Sequence, residues 1–489
     1  MKKNIVFIGL LVLHLCYAVT VKGQYFEKSF GYKYYDYPQQ VLETSDLNFM
    51  IFGSTKSDSL AQVDAYLVKV DAAGDTLWSR SYGGSQVDAG IGIAKAADGG
   101  FLLVVTSSSV NPGNYDIYLL KINDTGDTLW TRTYGGPMTD YAHSVTATSD
   151  GGYAVLAHSL SYGSGSSDFY LLRLNKDGDT LWTRTYGGSA FDWGACVKQT
   201  SDGGFILAGD TQSHGDADGD VYLVKTNSAG DTLWTRIYGG DKYDRAYHVI
   251  QTKDNGYLLS AVTNSYGNAN GSGYLIKTDE KGDTLWTRII EGAYQGRLGR
   301  SLQTSDGNYI VMGSFTVSDE KKSDIALIKV DTSGSALWTK YFGGSEHDQG
   351  ADIIETTDQN FFIVGATKSF EPDKDYDFYI IKTNGSGTFT NDDEFQAGFN
   401  AGDHSNLCSY PNPFRLSANI SYTLSVPGET EISIYDAFGC KRETLVQRHI
   451  KAGTHTCIWN AGNYPGGVYF CILRTEKNIS VVRLVYQGR

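Results

Sequence analysis

Gly178-Asp-Thr-Leu-Trp-Thr-Arg-Thr-Tyr-Gly-Gly188 is the stretch that decides the fold, because nearly the same residues return at a fixed interval. The leucine–tryptophan pair of this stretch occurs six times, each time 52 residues after the last, at Trp78, Trp130, Trp182, Trp234, Trp286 and Trp338. A fixed period of this length indicates a solenoid, a propeller or another repeat array.

One repeat contains four short segments with strand character. In residues 140–188 these segments are 140–148, 153–159, 168–174 and 180–186, separated by turns and one longer loop. The chain has 57 Gly and 34 Tyr but only 8 Pro, which favours strands joined by tight turns. A 3.6-residue period is absent, so a helical solenoid is excluded. Four antiparallel strands per repeat predict one propeller blade.

The number of blades follows from the phase of two repeated features. A turn aspartate occurs seven times, at Asp46, Asp98, Asp150, Asp202, Asp254, Asp306 and Asp358. The fourth strand also occurs seven times, since Phe26 precedes Trp78 by one period and no matching segment follows the last repeat. We therefore predict an all-β, seven-bladed propeller over residues 24–388, in which the N-terminal strand completes the last blade and removes the open edges.

The residues that recur in every repeat have structural explanations. Asp-Gly suits a two-residue hairpin, and the tryptophan is expected to pack against a neighbouring blade. A basic residue recurs as well, at Lys28, Arg80, Arg132, Arg184, Arg236, Arg288 and Lys340. The stretch 121–130 resembles the tryptophan-docking repeat of quinoprotein-type propellers. That resemblance implies blade packing, and it does not extend to quinone chemistry, because no two cysteines are adjacent here.

The start of the chain predicts export. Lys2-Lys3 precede an apolar run from Ile5 to Leu15, which is typical of a secretory signal peptide over residues 1–23. No later stretch is apolar enough to span a bilayer. The formal net charge of −14 argues against nucleic acid as a partner. We expect a secreted protein and, by default, a monomer.

Candidate ligand-binding residues lie where the repeats differ. If strand one of each blade is innermost, the residue after its first aspartate and the residue three positions further should lie near the central opening. These two sets contain Tyr37, Tyr141, Trp193, Arg245, Arg297 and Gln349, and then His248 and Arg300. Aromatic and arginine side chains suit a carbohydrate, a peptide or an anionic group. We expect non-catalytic recognition of a carbohydrate or protein, and ordinary loop variation is the alternative.

Two other functional classes stay open. The arginines resemble the cluster of a sialidase, so a glycan-active hydrolase or lyase is an alternative, and a structural surface-layer protein is another. No acid/base pair or metal-ligand spacing is recognisable, which favours binding over catalysis and predicts no cofactor. The carboxylates of Asp216, Asp218 and Asp220 alternate as in a calcium loop, but the twelfth position is Asn227, which favours a solvated loop.

The last part of the chain differs in pattern from the repeats. Residues 389–407 are polar and predict a linker, and residues 408–489 contain short alternating strands that predict a small β-sandwich. Four ordered motifs carry a resemblance, namely 410–414 (YPNPF), 432–439 (ISIYDAFG), 452–459 (AGTHTCIW) and 466–470 (GGVYF).

These motifs resemble the C-terminal sorting domain of type IX secretion cargo and the related immunoglobulin-like domain of hook-capping proteins. The resemblance implies type IX machinery as a partner, followed by release or attachment at the outer-membrane surface. The sorting-motif residues it implies are Tyr410, Pro411, Asn412, Pro413, Phe414, Gly467 and Tyr469.

Four cysteines lie in this domain, at 408, 440, 457 and 471, and they permit three pairings. Cys457 and Cys471 are expected on neighbouring strands, so a bridge between them is the favoured pairing. Buried free thiols are the alternative.

Overall fold

The structure is a computed structural model that describes residues 25–31, 34–56, 62–111, 113–292, 295–316, 322–370, 375–389, 407–410, 414, 416–424, 426–436, 441–465, 467–475, 479–486 and 488. The predicted signal peptide, nearly all of the predicted linker and Pro411, Asn412 and Pro413 lie outside these residues. The chain divides into two compact units, Met1–Asn391 and Asp392–Arg489. The described residues form strands and turns, and none of them belongs to a helix able to cross a membrane.

Seven four-stranded antiparallel sheets, called blades 1 to 7, form the described part of the first unit. Strand β1 (Phe26–Phe30) precedes them in the chain. Blade 1 contains β2 (Asp36–Glu43), β3 (Phe49–Thr55), β4 (Asp64–Val70) and β5 (Thr76–Tyr82). Blade 2 contains β6 (Asp88–Lys95), β7 (Phe101–Ser107), β8 (Asp116–Ile122) and β9 (Thr128–Tyr134). Blade 3 contains β10 (Asp140–Ala147), β11 (Tyr153–Ser159), β12 (Asp168–Leu174) and β13 (Thr180–Tyr186).

The remaining blades repeat this arrangement. Blade 4 contains β14 (Asp192–Gln199), β15 (Phe205–Thr211), β16 (Asp220–Thr226) and β17 (Thr232–Tyr238). Blade 5 contains β18 (Asp244–Gln251), β19 (Tyr257–Thr263), β20 (Ser272–Thr278) and β21 (Thr284–Ile290). Blade 6 contains β22 (Gly296–Gln303), β23 (Tyr309–Thr316), β24 (Ser323–Val330) and β25 (Ala336–Phe342). Blade 7 contains β26 (Asp348–Glu355), β27 (Phe361–Thr367) and β28 (Asp377–Thr383).

The first strand of the chain closes the ring. β1 pairs antiparallel with β28, with Phe26 opposite Lys382 and Phe30 opposite Phe378. Phe26 is buried, and its ring centroid lies 6.0 Å from that of Phe362 in an edge-to-face contact. The prediction of a seven-bladed propeller completed by its N-terminal strand is therefore confirmed.

The recurrent motif forms the contact between neighbouring blades. Gly178 of blade 3 has φ +83°, and a Cβ placed there would meet the ring of Trp130 of blade 2 at 2.5 Å. The Tyr134 hydroxyl donates to the Gly178 carbonyl, and Arg132 lies over the Trp130 ring and 3.5 Å from the Asp179 carboxylate. One tight turn is thus held by three side chains of the preceding blade, which is why the glycine, tryptophan, arginine and tyrosine recur together.

The first strand of each blade lies at the centre of the ring, because it contacts the first strands of both neighbouring blades. Each first strand also contains a β-bulge at the same place, so one extra residue interrupts the register with the second strand. A bulge turns a side chain away from the regular pleat and is common beside functional sites. The seven bulge residues are Gln39, Ile91, His143, Ala195, Tyr247, Gly299 and Ala351.

The second unit contains two small sheets around one apolar core, in agreement with the predicted sandwich. One sheet has the order β29 (Leu407–Tyr410), β30 (Ser417–Leu424), β33 (Gly453–Asn460). The other has the order β32 (Lys441–Ile450), β31 (Gly428–Asp436), β34 (Gly467–Thr475), β35 (Ile479–Tyr486). Trp459 is fully buried between Phe414 and Tyr469, at centroid distances of 5.5 and 5.0 Å.

The structure contains Cys457 and Cys471 as free thiols, which was the alternative to the favoured bridge. They do not lie on neighbouring strands, because β33 and β34 belong to different sheets that face the same core. Burial raises the pKa of Cys457 to about 11 and that of Cys471 to about 12, so both thiols are protonated at neutral pH. The Cys408 side chain and Cys440 lie outside the described residues.

Closure of the ring can be tested by truncating the aromatic side chain that anchors β1. Phe26→Ala should lower the free energy of unfolding of the propeller by about 3–5 kcal/mol, because it leaves a cavity in the last blade. The midpoint of urea unfolding followed by tryptophan fluorescence measures the loss. Leu129→Ala is the control, since Leu129 is 59% exposed on an outer strand and its loss should change stability by less than about 0.5 kcal/mol. Equal midpoints for the two variants would contradict closure by β1.

Candidate functional site

A pocket of about 320 Å³ lies among the first strands, near the propeller axis. Six of the seven bulge residues line it, which explains how the regular scaffold directs side chains to the axis. The lining residues are Tyr37, Gln39, His143, Trp193, Ala195, Arg245, Tyr247, Arg297, Leu298, Gly299, Arg300, Gly313, Ser314, Gly350 and Ala351. This axial pocket brings together five of the residues predicted from the sequence and adds the bulge residues to them.

An aromatic column of residues from blades 2, 3 and 4 ends at the lining of the axial pocket. The ring centroids of Tyr115 and Tyr141 lie 5.1 Å apart, those of Tyr141 and His158 lie 4.9 Å apart, and those of His158 and Trp193 lie 4.2 Å apart. The guanidinium of Arg245 in blade 5 lies 4.5 Å from the Trp193 ring centroid. Trp193 is therefore already in contact with an imidazole and a cation, and it holds Arg245 in position.

Two histidines stand side by side within this column. Nε2 of His143 lies 2.6 Å from Nδ1 of His158, so one ring donates a hydrogen bond to the other. Burial, followed by the charge of Arg245, lowers the pKa of His158 to about 4. Burial also lowers the pKa of His143 well below its usual value, as do the neighbouring His158 and Arg245. The pair thus adds no charge to the pocket at neutral pH.

Arg245 is the cation at the end of the column. Its Nε lies 3.3 Å from a carboxylate oxygen of Asp210, a buried residue of β15, and its guanidinium also lies 5.3 Å from the Tyr247 ring centroid. Burial raises the pKa of Asp210 to about 6, although the charge of Arg245 opposes the shift. The charge of Arg245 is consequently balanced by Asp210 only above about pH 6.

Arg297 lies on the opposite side of the axial pocket, in blade 6. It donates to Oε1 of Gln349 at 3.2 Å, and the Tyr37 hydroxyl donates to the same oxygen at 2.9 Å. Nε2 of Gln349 in turn donates to the Tyr376 hydroxyl at 2.9 Å, which fixes the orientation of the amide. A second cavity of about 260 Å³, called the side cavity, shares Arg297 and Ser314 with the axial pocket. It is also lined by Gln295, Thr316, Ser323, His347 and Gln349.

The predicted residue His248 lies away from the pocket lining. Its Nδ1 accepts the backbone N–H of Ser301 at 3.3 Å, which joins blade 5 to blade 6. Gln40, Ser144 and Asp352, which occupy the same repeat position, accept backbone N–H groups of the next blade at 3.0–3.2 Å. This repeat position therefore connects blades, and Arg300 differs from the others by lining the axial pocket while its Nε lies 3.6 Å from Asp352.

The other predicted site residues are placed as follows. Tyr141 belongs to the aromatic column, and Gln349 lines the side cavity. Sequence reasoning missed the bulge residues and also Asp210 and His158 on the second strands. The sequence feature that could have identified the bulge residues is their variability, since this repeat position holds glutamine, isoleucine, histidine, alanine, tyrosine or glycine in different blades.

No three histidine, cysteine, aspartate or glutamate side chains among the described residues are grouped so that they could hold a metal ion. In the segment considered for calcium, Asp216 and Asp218 are exposed, whereas Asp220 is buried. The Asp220 carboxylate accepts the backbone N–H of Asp216 at 2.8 Å, so it stabilises its own loop.

Residues 409–487 match the family of secretion system C-terminal sorting domains. Of the sorting-motif residues, Phe414 and Tyr469 are buried in the core and Gly467 begins β34. The Tyr410 side chain lies outside the described residues. The protein is thus exported by type IX secretion, to the medium or the outer-membrane surface, and carries a propeller as its larger unit.

Solved structures of low sequence identity resemble the chain. A protein of unknown function from Bacteroides caccae is 12% identical over 57% of this chain and 90% of its own, with a TM-score of 0.38. A fungal alcohol oxidase of the AA5 family in complex with copper is 13% identical over 95% and 99%, with a TM-score of 0.48. PorZ, a surface component of the type IX secretion system of Porphyromonas gingivalis, is 10% identical over 93% and 59%, with a TM-score of 0.45.

No curated protein matches the chain in sequence. At these identities and TM-scores, the similarities to solved structures say nothing about the ligand or chemistry of this chain.

The Asp210–Arg245 pair predicts a particular pH dependence. Because the folded protein binds the Asp210 proton more tightly than the unfolded chain, the stability from this group is present at low pH and is lost as the pH rises from about 4 to about 6. Asp210→Asn removes this titration. The difference in unfolding free energy, variant minus wild type, should therefore rise across this range by at most about 1.4 kcal/mol per pH unit. Parallel stability curves for the two proteins would contradict the assignment.

The sorting domain predicts the fate of a truncated chain. Deletion of residues 407–489 should prevent export and retain the propeller in the periplasm of a bacterium that has type IX secretion. Immunoblots of the periplasm, the cell surface and the medium measure the distribution. Full-length Tyr341→Ala, altered on an exposed outer strand, is the control and should be exported normally. Export of the truncated chain would show that another segment directs transport.

Proposed function

We propose that the protein is a non-catalytic, extracellular carbohydrate-binding propeller whose ligand enters the axial pocket. The observation that carries this proposal is the pocket lining, which combines tyrosines and arginines on rigid central strands with the amide of Gln39 and the hydroxyl of Ser314. Sugar ligands are commonly held by aromatic rings against their apolar faces and by planar polar groups at their hydroxyls.

The size of the pocket favours a carbohydrate over a folded protein. A volume of about 320 Å³ falls at the lower end of small-ligand sites and accommodates a sugar unit or a chain end. A stable protein partner needs roughly 800 Å² of contact on each side, which the pocket alone does not offer. Recognition of a protein is the second possible outcome of the test, in which the partner protein inserts one side chain or loop into the axial pocket.

The composition of the pocket favours binding over glycan cleavage. Glycoside hydrolysis generally uses a pair of carboxylates on either side of the scissile bond. The lining of the axial pocket, among the described residues, contains neither aspartate nor glutamate. The nearby carboxylates of Asp210 and Asp352 are buried and lie beside Arg245 and Arg300.

An array of neutral and acidic glycans together with extracellular proteins, probed with the full chain, tests the proposal. We expect saturable binding to a glycan, weakened roughly five- to tenfold in Tyr247→Ala, because Tyr247 presents its ring at the bulge that faces the pocket. Tyr341→Ala is the matched control, since Tyr341 is 54% exposed on the outer strand of blade 6. Retention of proteins only, or equal binding by both variants, would contradict carbohydrate recognition at the axis.

A further inference from the structure

We propose that Arg297 anchors a negatively charged group, a carboxylate or a sulfate, on an acidic glycan that spans the axial pocket and the side cavity. This inference deepens the proposed carbohydrate-binding function and rests on it. The inference narrows the ligand from carbohydrates in general to acidic glycans, and it assigns this specificity to the side chain of Arg297.

The hydrogen bonding of Arg297 is the first step. A guanidinium has five N–H donors, and among the described residues Arg297 donates to Gln349, also interacts with the Tyr37 hydroxyl, and forms no ion pair. Gln349 itself is fixed by Tyr37 and Tyr376, so Arg297 is held in place by neutral partners. Its remaining donors suit the planar oxygen pair of a carboxylate or the oxygens of a sulfate.

The balance of charge is the second step. Arg245 and Arg300, the other two cations of the lining, each lie within 3.6 Å of a carboxylate oxygen, from Asp210 and Asp352 respectively. Among the described residues, Arg297 is the one of these three arginines that has no carboxylate oxygen within ion-pair distance. The pocket thus carries an uncompensated positive charge on a protein whose formal net charge is −14. A partly enclosed cation of this kind attracts and retains anions.

The side cavity is the third step. Arg297 and Ser314 line both cavities, so a ligand that contacts Arg297 can occupy either or both. The Ser314 hydroxyl oxygen accepts the backbone N–H of Gly350 at 3.2 Å, which leaves its hydrogen available to an acceptor. Thr316 and Gln295 add further donors to the lining. Polar donors around a cation favour a ligand rich in acceptor oxygens, as acidic glycans are.

Isothermal titration of the full chain with three oligosaccharides of matched length tests the proposal. The probes are oligogalacturonate, which carries carboxylates, sulfated dextran, and unsubstituted dextran. We expect at least one anionic probe to bind about tenfold or more tightly than the neutral one, and Arg297→Gln to remove that advantage. Raised salt should weaken the anionic probe alone. The anionic probe that binds more tightly identifies the group as carboxylate or sulfate.

Two further variants make the test specific to the geometry. Lys281→Gln, in an exposed turn of blade 5, changes the net charge by the same amount and should leave the affinity within about twofold. Arg297→Lys keeps the charge but not the paired donors, and it should recover only part of the affinity.

The outcomes separate the two proposals. Anionic and neutral probes that bind equally to wild type and Arg297→Gln would overturn the role of Arg297 while leaving carbohydrate binding intact. Failure of every glycan, both here and on the array, would overturn both proposals.

Discussion

The contact between a tight turn and the outer strand of the preceding blade is the constraint on which the structure depends. Gly178 must have a positive φ to make the turn, and it must lack a side chain because Trp130 occupies the space a Cβ would need. Tyr186 and Tyr238 repeat the contact at later junctions by donating to the carbonyls of Gly230 and Gly282, each at 2.7 Å. Because each blade is held by its neighbour, an open array would leave one unmatched surface at each end, and β1 removes both by completing the last blade.

A second set of contacts fixes the inner ends of the blades. The residue after the bulge accepts a backbone N–H of the next blade in blades 1, 3, 5 and 7, and in the last case Asp352 reaches Val41 of blade 1. This geometry explains why His248 is buried and neutral: only a neutral imidazole can accept the N–H of Ser301 at Nδ1. A variable residue near the axis can thus belong to the scaffold as readily as to the site.

The fold could be predicted from the sequence because large aromatic residues mark both the length of the repeat and the position at which each repeat begins. Six tryptophans and Phe26 mark seven fourth strands, and in the structure each of these residues lies on the outermost strand of one blade. The axial pocket could be predicted only in part. Trp193 and Arg245 follow from their place after the strand-one aspartate, and Arg297 follows from the same repeat position after Gly296. Tyr247 lies two residues after Arg245, so the alternation of a strand places both on one face, whereas the prediction took the residue three positions on, His248. The bulge inserts one extra residue at Tyr247, and His248 beyond it contacts the next blade and not the pocket.

The repeat also explains how one strongly cationic position can exist on an acidic protein. Seven first strands converge on one axis, so a single substitution in one blade brings its side chain close to residues from several others. Arg297 belongs to blade 6, yet Tyr37 of blade 1 and Gln349 and Tyr376 of blade 7 determine its surroundings. The blades are held together by their outer turns and inner backbone contacts, neither of which uses Arg297. Its side chain can therefore be specialised for a ligand at little cost to the scaffold, whereas the same change at Trp130 or Gly178 would disturb a junction between blades.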